Sequence, residues 1–79
     1  MEARKTNPVT VEWETKAKNL LKAELKRKGV TYAQLAELLA GLDITETERN
    51  LNNKISRGGF SAAFLLQCLS AIGTADVRL

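Results

Sequence analysis

The chain has no histidine and a single cysteine, Cys68. No disulfide can close within it, and no His/Cys metal site can be assembled. Without histidine the only acid–base candidates near neutral pH are scattered Asp and Glu side chains, so no enzyme is expected and no cofactor is implied. Aromatic residues are 5% of the chain and there is one proline. No apolar run approaches the ~20 residues that span a bilayer. The first residues carry charge with no apolar stretch behind them, which is not a signal-peptide pattern. Together with the cysteine usage, this gives the expectation of a reducing, cytoplasmic setting. No internal repeat or low-complexity tract is present, and no phosphate-cradling GxxxxGK motif.

What is present is a helix pattern with clear punctuation. The length, 79 residues, predicts one domain. A core this small is marginal, and a second copy of the chain would help it. The apolar share of 44% fits a folded protein. A net charge of +3 permits a polyanionic partner without demanding one.

Asn7-Pro8-Val9-Thr10 starts a first helix, with either Asn7 or Thr10 as cap, running to about Lys28. Its apolar positions are Trp13, Ala17, Leu20, Leu21 and Leu25, and Trp13 is expected in the core. Lys26-Arg27-Lys28 before Gly29 is a helix stop. Thr31 to Gln34 reads as a capping box for a second helix over Tyr32 to Ala40, ended by Gly41. Thr45 to Glu48 reads as another, for a third helix from about Glu46 to Arg57, with Ile44 stapling behind it. Gly58-Gly59 stops that helix. Phe60 and Ser61 then open a fourth, which carries Phe64, Leu65, Leu66, Cys68, Leu69 and Ile72 and closes at Gly73. Strand signals are absent apart from a weak one at Val77 to Leu79. The expectation is an all-α domain of four helices, with room for a short fifth turn. It divides into an N-terminal arm over 1–9, a helical domain over 10–73 and a tail over 74–79.

The third helix is unlike the others. Between Thr45 and Gly58 only Leu51 and Ile55 are apolar, one turn apart. At ~100° per residue, Arg49, Asn53 and Arg57 fall opposite them, with Asn50 and Ser56 flanking. Arg and Asn pair bidentately with guanine and adenine edges in a major groove. Asparagine is a poor helix former, so three of them in one helix call for a reason. The plain alternative is a solvated face. Lys54 and Arg57 beside Gly58-Gly59 suit a phosphate as well as they suit a helix stop. Lys16, Lys18, Lys22 and Lys26 on the first helix are expected to be solvated rather than a phosphate or lipid track. Arg4 and Lys5 are expected in a disordered arm rather than in a minor groove. Cys68 reads as a small buried apolar residue.

The stretch from Leu21 to Gly73 resembles the lambda-repressor-like, XRE-type helix-turn-helix domain. The resemblance rests on Gly29-Val30-Thr31-Tyr32-Ala33-Gln34-Leu35-Ala36, on Ile55-Ser56-Arg57-Gly58 and on Leu69-Ser70-Ala71-Ile72-Gly73. The chain is also similar to small bacterial helical domains without an assigned activity. The helix-turn-helix resemblance implies a small DNA-binding protein, such as a bacterial transcriptional regulator or an antitoxin-like factor, acting on double-stranded DNA. Arg49, Asn50, Asn53 and Arg57 would read bases, and Thr31, Tyr32 and Lys54 would hold the backbone. A homodimer is implied, with the fourth helix and the tail as candidate contact surfaces. Three departures stand out. Tyr32 occupies a position where the family carries a phosphate-binding Gln. Leu25 and Ser56 occupy the positions of a family Arg–Glu pair, and losing both charges together leaves neither buried alone. The link from Gly41 to Thr45 exceeds the usual turn of ~3–4 residues. The alternative from another class is a protein-interaction module that docks a partner on its apolar fourth helix.

Overall fold

The computed structural model describes residues 8–79. Asn7, Arg4 and Lys5, singled out above as a cap and an arm, lie outside the described residues. The helices are α1 (Pro8–Lys28), α2 (Tyr32–Ala40), α3 (Glu48–Arg57) and α4 (Ala62–Ala71). No strand occurs among the described residues, and residues 74–79 have no regular structure. The domain is all-α. Of the two starts the sequence offers, α1 takes the one at Pro8, so Pro8 and Val9 belong to its first turn and not to the arm over 1–9.

Local chemistry accounts for most boundaries. The Thr31 hydroxyl accepts from the Gln34 amide, and the Gln34 side chain accepts from the Thr31 amide, completing the capping box of α2. Ser61 caps α4 through the Phe64 amide at 3.0 Å. At the end of α1, Gly29 takes a positive φ of 69° while Val30 N–H donates to Leu25 C=O. Gly73 does the same after α4, with Thr74 N–H on Leu69 C=O. Both are glycine stops that satisfy the last carbonyls.

α2 ends at Ala40 with Gly41 as its cap, as the sequence reading has it, although Gly41 has φ −65° and is not left-handed. The turn continues, and Asp43 takes the positive φ of 63°, with Ile44 N–H closing back on Leu39 C=O. Asp is among the few residues that tolerate this conformation. At α3 the cap is Thr47, not Thr45, and the helix begins at Glu48, not Glu46: Asn50 N–H donates to the Thr47 hydroxyl at 3.0 Å. The displacement has a tertiary cause. The Glu46 carboxylate, nearly buried, pairs with Lys54 Nζ at 2.6 Å, which holds it outside the helix it was expected to join.

The core draws on every helix: Leu21 and Leu25, Leu35 and Leu39, Leu51 and Ile55, Phe64, Cys68, Leu69 and Ile72. Each buried side chain of this size contributes about 1.5–3 kcal/mol by leaving water. α1 and α2 each pack against both α3 and α4. At ~1.5 Å per residue α1 is about twice as long as any helix it packs on, so part of it extends beyond the other helices of the described residues. Its buried residues, Leu21 and Leu25, lie in the C-terminal half. Trp13, expected in the core, is 59% exposed for this reason.

Candidate nucleic-acid interface

α3 is held by little. Leu51 and Ile55 are its buried residues, both fully covered. Glu48 in the first turn and Lys54 and Arg57 in the last complement the helix dipole. The C-terminal end is fixed by α1. Lys18 Nζ donates to Ser56 C=O at 3.5 Å, and a Cβ on Gly58 would meet the Glu14 carbonyl oxygen at 3.7 Å. Gly58 has φ 75° and ψ −168°, a region essentially restricted to glycine. That backbone turns the chain sharply from α3 into α4.

Arg49, Asn50, Asn53 and Arg57 are all exposed; at ~100° per residue Arg49, Asn53 and Arg57 lie opposite Leu51 and Ile55, with Asn50 on a flank. Their side chains have no hydrogen bond or ion pair within the described residues. Two guanidinium groups and two amides, exposed on one helix whose back is fixed, can meet planar hydrogen-bonding edges. Asn52 and Ser56, on one flank, are tied to each other at 3.1 Å.

The three residues expected to hold a nucleic-acid backbone are placed differently. Thr31 is exposed at the start of α2, and its oxygen already accepts the capping bond. Its hydroxyl proton is still available for donation. Tyr32 is half-buried against the core, and burial pushes its hydroxyl above the ordinary phenol range, so it is a donor and not an anion. Lys54 is not a free cation. It is held by Glu46 and lies 4.7 Å above the Phe64 ring. Nothing in the local sequence signalled this pair, because Glu46 lies outside the helix that carries Lys54.

Beside Lys54 and Arg57, a cleft of about 460 Å³ is lined by Gly58, Gly59, Phe60, Ser61, Phe64 and Glu14. Its phosphate-binding potential is reduced, because the Gly58 amide is already used by the carbonyls of Lys54 and Ile55. The positions of the helix-turn-helix Arg–Glu pair carry no charge here. Leu25 is in the core, while Ser56 is exposed. Of the α1 lysines, Lys18 and Lys28 cap the carbonyls of Ser56 and Gly73, and Lys16 lies 4.6 Å above the Trp13 ring. Cys68 is fully covered, and burial, with the nearby Glu46 charge, pushes its thiol up to about 12. It is a thiol at physiological pH.

Profile comparison decides the family. The chain belongs to the family described as a domain of unknown function, DUF6471, which matches residues 13–77. No curated protein and no solved structure matches the chain. The DUF6471 match takes in all of α2, α3 and α4 and most of α1, so the α3 face described here lies wholly within the family unit.

Proposed function

We propose that this DUF6471 domain is a lambda-repressor-like helix-turn-helix protein that binds double-stranded DNA as a homodimer and acts as a bacterial transcriptional regulator. One observation carries the reading: Leu51 and Ile55 are the buried residues of α3, and Arg49, Asn50, Asn53 and Arg57 are all exposed on it. In the major groove Arg49 and Arg57 would pair with guanine and Asn50 and Asn53 with adenine, each good bidentate pair giving about 1–3 kcal/mol of discrimination. Thr31 and Tyr32, at the N-terminus of a helix packed on α3, would position phosphates. Lys54 would support α3 through Glu46 rather than touch the backbone. The protein is non-enzymatic on this reading.

A labelled mixed-sequence duplex followed by fluorescence anisotropy across a salt series tests it. The expected affinity falls with log salt by about 0.9 per phosphate neutralised, and collapses in Arg49→Ala/Asn53→Ala/Arg57→Ala while the fold is retained. No binding by the wild type at low salt excludes it. A second reading has its own observation. Leu66 on α4 is 66% exposed, and Leu38 and Leu42 are exposed one turn apart near the end of α2. A protein-interaction module would use such residues, and its binding would hardly respond to salt.

A further inference from the structure

The side of α1 turned away from Leu21 and Leu25 carries a repeat that is mostly exposed, with Leu20 also reaching the edge of the core. Val9, Trp13, Lys16, Leu20, Ala23 and Arg27 follow one another in alternating steps of four and three residues. That spacing is the core seam of a helix pair. Leu20 is half-buried and the other five are exposed. Trp13, the chain's single tryptophan, has Lys16 above its ring as its ring contact.

We propose that this seam pairs with the same seam of a second copy of the chain, antiparallel, making α1 the dimer contact. The sequence of the seam chooses the occupant and the direction. A parallel pair would stack Lys16 on Lys16 and Arg27 on Arg27 of the other copy, placing like charges at core layers. The antiparallel register sets Trp13 against the small Ala23 of the other copy, Leu20 against the Lys16 stem and Val9 against the Arg27 stem. Long basic side chains cover apolar neighbours with their stems and keep their charge in water. Arg27 is already neutralised by Glu24 at 2.6 Å. In this register the flanking Glu12 comes opposite Lys26 of the other copy, twice by symmetry, as a two-fold contact requires. Neither Glu12 nor Lys26 has an ion pair within the described residues. Ala17 meets Ala17 at the crossing, where small side chains allow close approach. A tryptophan at the centre of each half is the residue type that dominates interface energy. The surface is independent of the DNA reading: it forms with or without a duplex, and it leaves α3 free. It replaces α4 as the dimer surface.

Sedimentation velocity of the full chain from micromolar to millimolar concentration tests the pairing, alongside the emission of Trp13. Self-association with a blue shift of the tryptophan emission is expected. Trp13→Ala should weaken association by about tenfold or more. Glu12→Lys and Lys26→Glu should each weaken it, and Glu12→Lys/Lys26→Glu should restore it, since the swap rebuilds both pairs. All three positions are exposed, so far-UV circular dichroism should stay unchanged. A chain that remains monomeric at millimolar concentration overturns the proposal. So does a dimer that Trp13→Ala leaves intact and Leu66→Gln breaks, or a charge swap that fails to restore what the single changes removed.

Discussion

α3 and α4 have the same length, 10 residues each, and are joined by the short stretch from Gly58 to Ser61, yet they invest their residues in opposite ways. α4 buries Phe64, Cys68 and Leu69, continues into buried Ile72, and still exposes Leu66. α3 buries Leu51 and Ile55 and gives every other position to solvent or to its flanks. A helix this short is marginal in isolation. α3 therefore depends on what its ends and two anchors supply, whereas α4 would keep its place through surface burial alone. The difference shows where the chain has freedom to vary. Most of α3 can change without touching the core, which is what a surface that reads a ligand needs.

The largest effect should come from removing an anchor. Leu51→Ala leaves a cavity beneath α3 and should cost about 2–5 kcal/mol, against a total of about 5–15 kcal/mol for a typical domain. Urea denaturation followed by circular dichroism measures it. A cost under 1 kcal/mol (about one tenth of that total) would mean that α3 is not held as described. Next is the hinge between the two helices. Gly58→Ala must force an L side chain into a backbone region reserved for glycine, and should lose about 1–3 kcal/mol in the same assay.

Smaller still is the cap. Thr47→Ala should lose about 1 kcal/mol, and Thr45→Ala almost nothing. The reverse ranking would move the start of α3 back to Glu46. Last comes the face itself. The triple change Arg49→Ala/Asn53→Ala/Arg57→Ala should shift stability by no more than about 0.5 kcal/mol per site. A large loss on thermal melting would make that face structural and dissolve the contrast with α4.

These two helices also show what the sequence could and could not disclose. The bounds of α2 and α4 were legible because their caps are local: Thr31 with Gln34, Ser61 with Phe64, and glycines at 29 and 73. The outward face of α3 was legible because two apolar residues one turn apart leave little choice of orientation. Its first residue was not. Thr45 and Thr47 offer equally good hydroxyls, and the choice is made by the grip of Lys54 on Glu46, a contact that no local pattern encodes. Nor was the exposure of Trp13 legible. A helical stripe names the residues that share a side, but not how far the neighbouring helices reach along it. The positive φ of Asp43 was hidden by Gly41, which offered a more obvious stop two residues earlier.

The polar bonds that fasten the end of α1 have a bearing on how the chain comes into being. Glu24 holds the Thr74 hydroxyl at 3.1 Å, and Lys28 reaches the carbonyl of Gly73. Leu21 and Leu25 of α1 face helices made later. During synthesis from the N-terminus, the first helix is thus the one that waits longest for cover. At about 5–20 residues per second, the fifty residues between Glu24 and Thr74 correspond to an interval of roughly 3–10 s. The two leucines have no native partner from α4 until Ala62–Ala71 has been made, and the Glu24–Thr74 bond forms only once translation has passed Thr74.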